Sequence, residues 1–139
     1  MASTHKVCVE CGSSLTEADV PFGVCSIECA EKTRDRIWRL DLDLRIQRTA
    51  ERALQVRRGR RLHRRDQIMR EIRLLGAEWS RATDHRVKSM LELEEERCFA
   101  AWIAADQKIE TLTDAQNTAA QRTRDLELEL EGCRKIVDG

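Results

Sequence analysis

Cys8-Val9-Glu10-Cys11-Gly12 is answered, after a short loop, by Cys25-Ser26-Ile27-Glu28-Cys29. Two close pairs of thiols on either side of a loop is the spacing of a tetrahedral zinc site. Gly12 permits the tight turn that follows the first pair, and Pro21 and Gly23 are expected to bend the chain back toward the second. Ser26 is a good helix N-cap, and Glu28 and Glu31 suit the positive end of a helix. Cys25 is therefore expected just before a helix and Cys29 in its first turn. Four thiolates close the coordination shell, so the one zinc is expected to be structural, with no open position for water or substrate.

Cys-x2-Cys-Gly, a short loop, and Cys-Ser-x2-Cys opening a helix resemble treble-clef zinc fingers of the FCS type, related to MYM-type fingers. The resemblance covers residues 7–33 and rests on Cys8, Cys11, Gly12, Cys25, Ser26 and Cys29. Members of those families are mostly interaction modules for protein or nucleic acid. The resemblance thus implies a structural Zn2+ and a recognition role.

Beyond Cys29 the chain reads as helix almost to its end. Of its 139 residues, 36% are charged and 4% aromatic, and the single Pro is Pro21. That mix suits long helices or coiled coils better than a globule. The expected fold is mostly α: a small N-terminal treble-clef-like zinc finger with four cysteine ligands, followed by long coiled-coil helices, as a helical hairpin or an extended rod. Three segments are expected: the finger over 1–33, a basic amphipathic helix over 34–82, and an acidic heptad helix over 83–139. Net charge over the whole chain is zero, yet 34–82 carries +8 and 83–139 carries −5.

A heptad fits the second helix. Its a positions are Trp102, Ile109, Gln116, Thr123, Leu130 and Val137; its d positions are Leu91, Cys98, Ala105, Leu112, Ala119, Leu126 and Cys133. Cys98 and Cys133 are read as small apolar packers. The first helix fits another register, with a at Ile37, Leu44, Glu51, Arg58, Arg65, Ile72 and Trp79. Its d positions are Leu40, Gln47, Leu54, Arg61, Ile68, Leu75 and Ala82. This seam is apolar at both ends and charged in the middle. Trp38, Trp79 and Trp102 are each read as large seam residues. The registers slip between Ala82 and Leu91, where Ser89 and Glu92 could cap a restarted helix. A hairpin would turn somewhere in 76–88; a turn near Gly76–Ser80 would set Arg58–Arg65 opposite Glu92–Glu96.

The second informative stretch is Arg57-Arg58-Gly59-Arg60-Arg61-Leu62-His63-Arg64-Arg65. Arg57, Arg60, Arg61 and Arg64 share a helical face, read here as continuing the seam between Leu54 and Ile68. Three readings fit: a face paired internally by Glu92–Glu96, contact with nucleic-acid phosphates by Arg57, Arg58, Arg60, Arg61, Arg64 and Arg65, or contact with an acidic protein surface or anionic lipid. No aromatic is interleaved, so nucleic-acid contact would be to backbone rather than to bases.

No apolar run reaches membrane-spanning length and the N-terminus lacks a signal-peptide core, so a cytoplasmic location is expected. No catalytic constellation is present. The expectation is a non-enzymatic zinc-binding coiled-coil protein that forms homo-oligomers and takes no small-molecule substrate. It would act as an accessory factor for DNA-binding or other nucleic-acid machinery. The alternative is a protein-only adaptor whose arginines are paired internally.

Overall fold

Between Ile27 and Arg81 the chain holds no Pro and is rich in Arg, Leu, Glu and Ala, residues that lose little on entering a helix. The computed structural model, which describes residues 7–8, 10–16 and 24–138, and side chains only as far as 135, forms a single helix there, α1 (Ile27–Arg81). A second helix, α2 (His85–Asp138), follows after residues 82–84. Gly59 and Gly76 sit within α1 without breaking it. The expected bend at Pro21 and Gly23, and the seam position Val137, lie outside the described residues.

The break is shorter than the expected restart at Ser89. Asp84 caps α2: its Oδ1 accepts a hydrogen bond from the Arg86 N–H at 2.8 Å, and its carbonyl accepts from Lys88 N–H. Ser89 lies inside the helix. An Asp immediately before the first turn is a stronger cap signal than a Ser already surrounded by helix formers.

The chain divides into two compact units, Met1–Ala50 with Ala119–Gly139, and Glu51–Thr118. In the first, Leu40 and Leu44 of α1 are buried with Leu130 and Cys133 of α2, flanked by Ile37 and Leu126. In the second, Ile68, Ile72 and Ala105 form the core, with Cys98 and Trp102 packed against it. Every one of these residues stands on the a/d stripes of the sequence. Burial of a leucine or isoleucine side chain contributes about 1.5–3 kcal/mol. An exposed ion pair such as Arg48–Glu127, at 3.0 Å, contributes at most about 1 kcal/mol. The apolar clusters, not the charges, therefore hold the helices together.

The second unit is an antiparallel hairpin. Trp79 Nε1 donates to Glu92, Arg65 Nη1 to Asp106, and Arg58 Nε to Thr113, each pair one step farther from the turn. The turn at 82–84, inside the expected 76–88, sets this register. It places Arg58–Arg65 opposite 106–113, not opposite Glu92–Glu96, so the expected internal pairing with that acidic run does not form. Trp38 also departs from expectation: it is 67% exposed, one residue off the stripe of half-buried Ile37 and buried Leu40. Trp102 is half-buried in the seam, while Trp79 is held at the turn, with Lys88 Nζ 4.3 Å from its ring centroid.

Candidate metal centre and arginine cleft

The knob is built from a hairpin and a helix start. Val7 and Ser14 form an antiparallel bridge, Cys8 N–H donates to Ser13 O at 2.7 Å, and Gly12 N–H donates to Cys8 O at 2.9 Å. Gly12 has φ of +74°, a conformation side-chain-bearing residues rarely adopt. Across from this turn, Ser26 Oγ accepts from Cys29 N–H at 3.2 Å, which caps α1. Cys25 precedes that cap and Cys29 lies in the first turn.

These two pieces bring the sulfurs of Cys8, Cys11, Cys25 and Cys29 within 4.8 Å of one another. Cys11 and Cys25 are 3.5 Å apart, and Cys25 and Cys29 3.6 Å. A tetrahedral ion with metal–sulfur bonds of about 2.3 Å has sulfur–sulfur edges of about 3.8 Å. The cluster thus has the size and donor set to hold one such ion. Ionisation within it is uneven. The Cys11 backbone N–H draws the Cys8 thiol down to about 6. The neighbouring thiols of Cys11, Cys29 and Cys8 push Cys25 up to about 12. Four sulfurs this close resist carrying four negative charges unless a cation lies between them.

The knob is also tied to the helix through a residue the sequence did not single out. Glu10, inside the Cys8–Cys11 turn, accepts a hydrogen bond from Arg36 Nη2 at 2.9 Å. Thr33 Oγ1 lies 3.1 Å from Glu10 Oε1 and 3.0 Å from Cys29 O, sharing one proton between the two acceptors. Thr33 is 1% exposed. Cys29, Thr33, Leu40 and Leu44 fall on one face of α1, so the face that carries the metal ligand becomes the face that packs on α2. A helical repeat beginning at Cys29 carries that signal; nothing in the sequence pairs Glu10 with Arg36.

The six arginines separate into two groups. Arg58 and Arg65 are half-buried at seam positions. Arg58 Nε donates to Thr113 Oγ1 at 2.8 Å. Arg65 pairs with Asp106 at 2.6 Å and stands 5.9 Å from the Trp102 ring centroid. Arg57, Arg60, Arg61 and Arg64 are exposed and make no hydrogen bond or ion pair to the described residues. Their face does not continue the seam, as expected from the sequence, but borders it. The seam passes instead through Leu54, Arg58, Leu62 and Arg65, all half-buried. Together with Lys108, Thr111 and Leu112 of α2, the four exposed arginines line an open cleft of about 610 Å³.

No protein-family model, curated protein or solved structure matches this chain. Among the described residues, no helix is long and apolar enough to cross a membrane.

Proposed function

We propose that this protein is a non-enzymatic, structural-zinc coiled-coil factor that contacts nucleic acid, or the machinery acting on it, through its arginine surface and its metal knob. The observation that carries this reading is the row Arg57, Arg60, Arg61 and Arg64: four cations on one helical face without a carboxylate partner among the described residues. A protein that needed these residues only for internal pairing would set acids against them. A phosphate backbone supplies the missing charge, and release of its counterions drives binding.

The ion is Zn2+, since four thiolates in tetrahedral spacing suit it above harder cations. The site would serve folding rather than chemistry. The turn at Gly12 and the placement of Cys25 and Cys29 around the start of α1 support the treble-clef resemblance. Trp38, Leu42 and Ile46, exposed at helical spacing on one face of α1, support self-association of the helices.

The second reading is a protein-only adaptor. It is favoured by Arg58 and Arg65, which are engaged within the hairpin. Fluorescence anisotropy with labelled DNA over a salt series separates the two. Binding that weakens steeply with salt, and is lost when Arg57, Arg60, Arg61 and Arg64 become Gln, supports nucleic-acid contact. Absence of binding even at low salt leaves the adaptor.

A further inference from the structure

Resting on that reading, we propose that the site is a two-helix cleft that seats one phosphate strand of a nucleic-acid duplex. Arg57, Arg60, Arg61 and Arg64 of α1 and Lys108 of α2 would supply its cations, with Thr111 as a further hydrogen-bond donor.

Lys108 joins the arginines because of the register of the hairpin. Arg65 is fastened to Asp106 and Arg58 to Thr113. These two pins bracket the stretch of α2 that contains Lys108 and Thr111. The seam arginines thus do not face the ligand; they set the lysine beside the exposed ones. All seven residues lining the cleft are cationic, hydroxyl-bearing or aliphatic, and none is acidic. Lys108, like the four arginines, has no ion pair among the described residues.

The five cations repel one another. Arg57 and Arg61, and Arg60 and Arg64, stand one helical turn apart, where like charges are unfavourable. An anion entering the cleft relieves that repulsion. The cleft continues toward a second recess shared by Arg61, Arg64 and Lys108, floored by Ile68, Ala101 and Ala105. Small side chains there leave room for a backbone to approach.

The geometry also selects the form of the anion. Arg57 to Arg64 spans about 10 Å along a straight helix, room for more than one phosphate of a strand that carries a charge every ~3.4 Å of duplex axis. A row of cations carried on one helical face can follow a regular duplex edge, and no aromatic side chain lines the cleft to stack unpaired bases.

The test uses the full zinc-loaded chain with a labelled duplex DNA and a single strand of equal length, each followed by anisotropy across a salt series. Lys108→Gln is expected to weaken duplex binding and reduce the salt slope by about one, as Arg61→Gln does. Arg70→Gln, an exposed arginine of α1 that does not line the cleft, is expected to leave the slope unchanged. Circular dichroism confirms that each variant keeps its helices. Wild-type binding that Lys108→Gln leaves intact, or that Arg70→Gln reduces equally, would overturn the two-helix site while sparing nucleic-acid contact. Preference for the single strand would overturn the duplex assignment. Wild-type protein that binds neither probe would overturn the nucleic-acid reading itself.

Discussion

Glu10 and Arg36 form an ion pair at 2.9 Å that fastens the cysteine turn to α1, about two turns past the last metal ligand; the Glu10 side chain is 8% exposed. The knob at residues 7–29 is too small to bury a core of its own. Its orientation therefore rests on the four sulfurs, on the Ser26 cap and on this carboxylate.

Replacing Glu10 by Ala removes the acceptor that Arg36 and Thr33 share. The expected cost is about 1–2 kcal/mol, in the range of a charge-assisted hydrogen bond with one partly exposed partner. Thermal melts of the metal-loaded protein check it. A double cycle with Arg36→Ala should be non-additive; additive losses would show that the pair does not couple.

Gly59 and Gly76 lie inside α1, and a methyl group at either would meet nothing within 4 Å. Gly59→Ala and Gly76→Ala are each expected to stabilise by about 0.4–1 kcal/mol by restricting the unfolded chain. Gly12→Ala is expected to act the other way, because φ of +74° strains any residue with a Cβ. Denaturant midpoints of the three variants should divide by sign.

Burial raises the Cys98 thiol above its ordinary value of 9.0; Glu71 and Glu94 raise it further, and Arg64 opposes them. A raised thiol favours the folded state fully below the ordinary value, and that contribution fades as pH climbs above it. Near neutral pH Cys98 holds less thiolate than a free cysteine, so alkylation should be slow. Glu71→Gln removes one of the causes and should speed it. Peptide mapping of the alkylation rate against pH reads both effects; a Cys98 rate equal to that of free cysteine contradicts them.

The seam was legible because burial in a two-helix pairing leaves a strict three-four repeat. Leu40, Leu44, Ile68, Ile72, Ala105, Ile109, Ala119 and Leu130 all fall on it and are all buried. The thiol pairs were legible because a metal imposes spacing. The turn was legible only to within 76–88, since Asp84 caps α2 by one local hydrogen bond among many polar residues. An error of a few residues there moves every cross-helix partner. That is why Arg65 meets Asp106 rather than the Glu92–Glu96 run, and why Lys108 had no signal linking it to the arginines. Trp38 misled because size alone suggested core, while its position one step off the stripe leaves it exposed.

The most direct measurement is metal analysis of the purified, reduced chain by native mass spectrometry, combined with a thiol reagent. One zinc per chain is expected, with Cys98 and Cys133 alone open to slow reaction and all six thiols reactive after chelation. A chain that carries no metal while its six thiols are intact, reduced and reactive would contradict it.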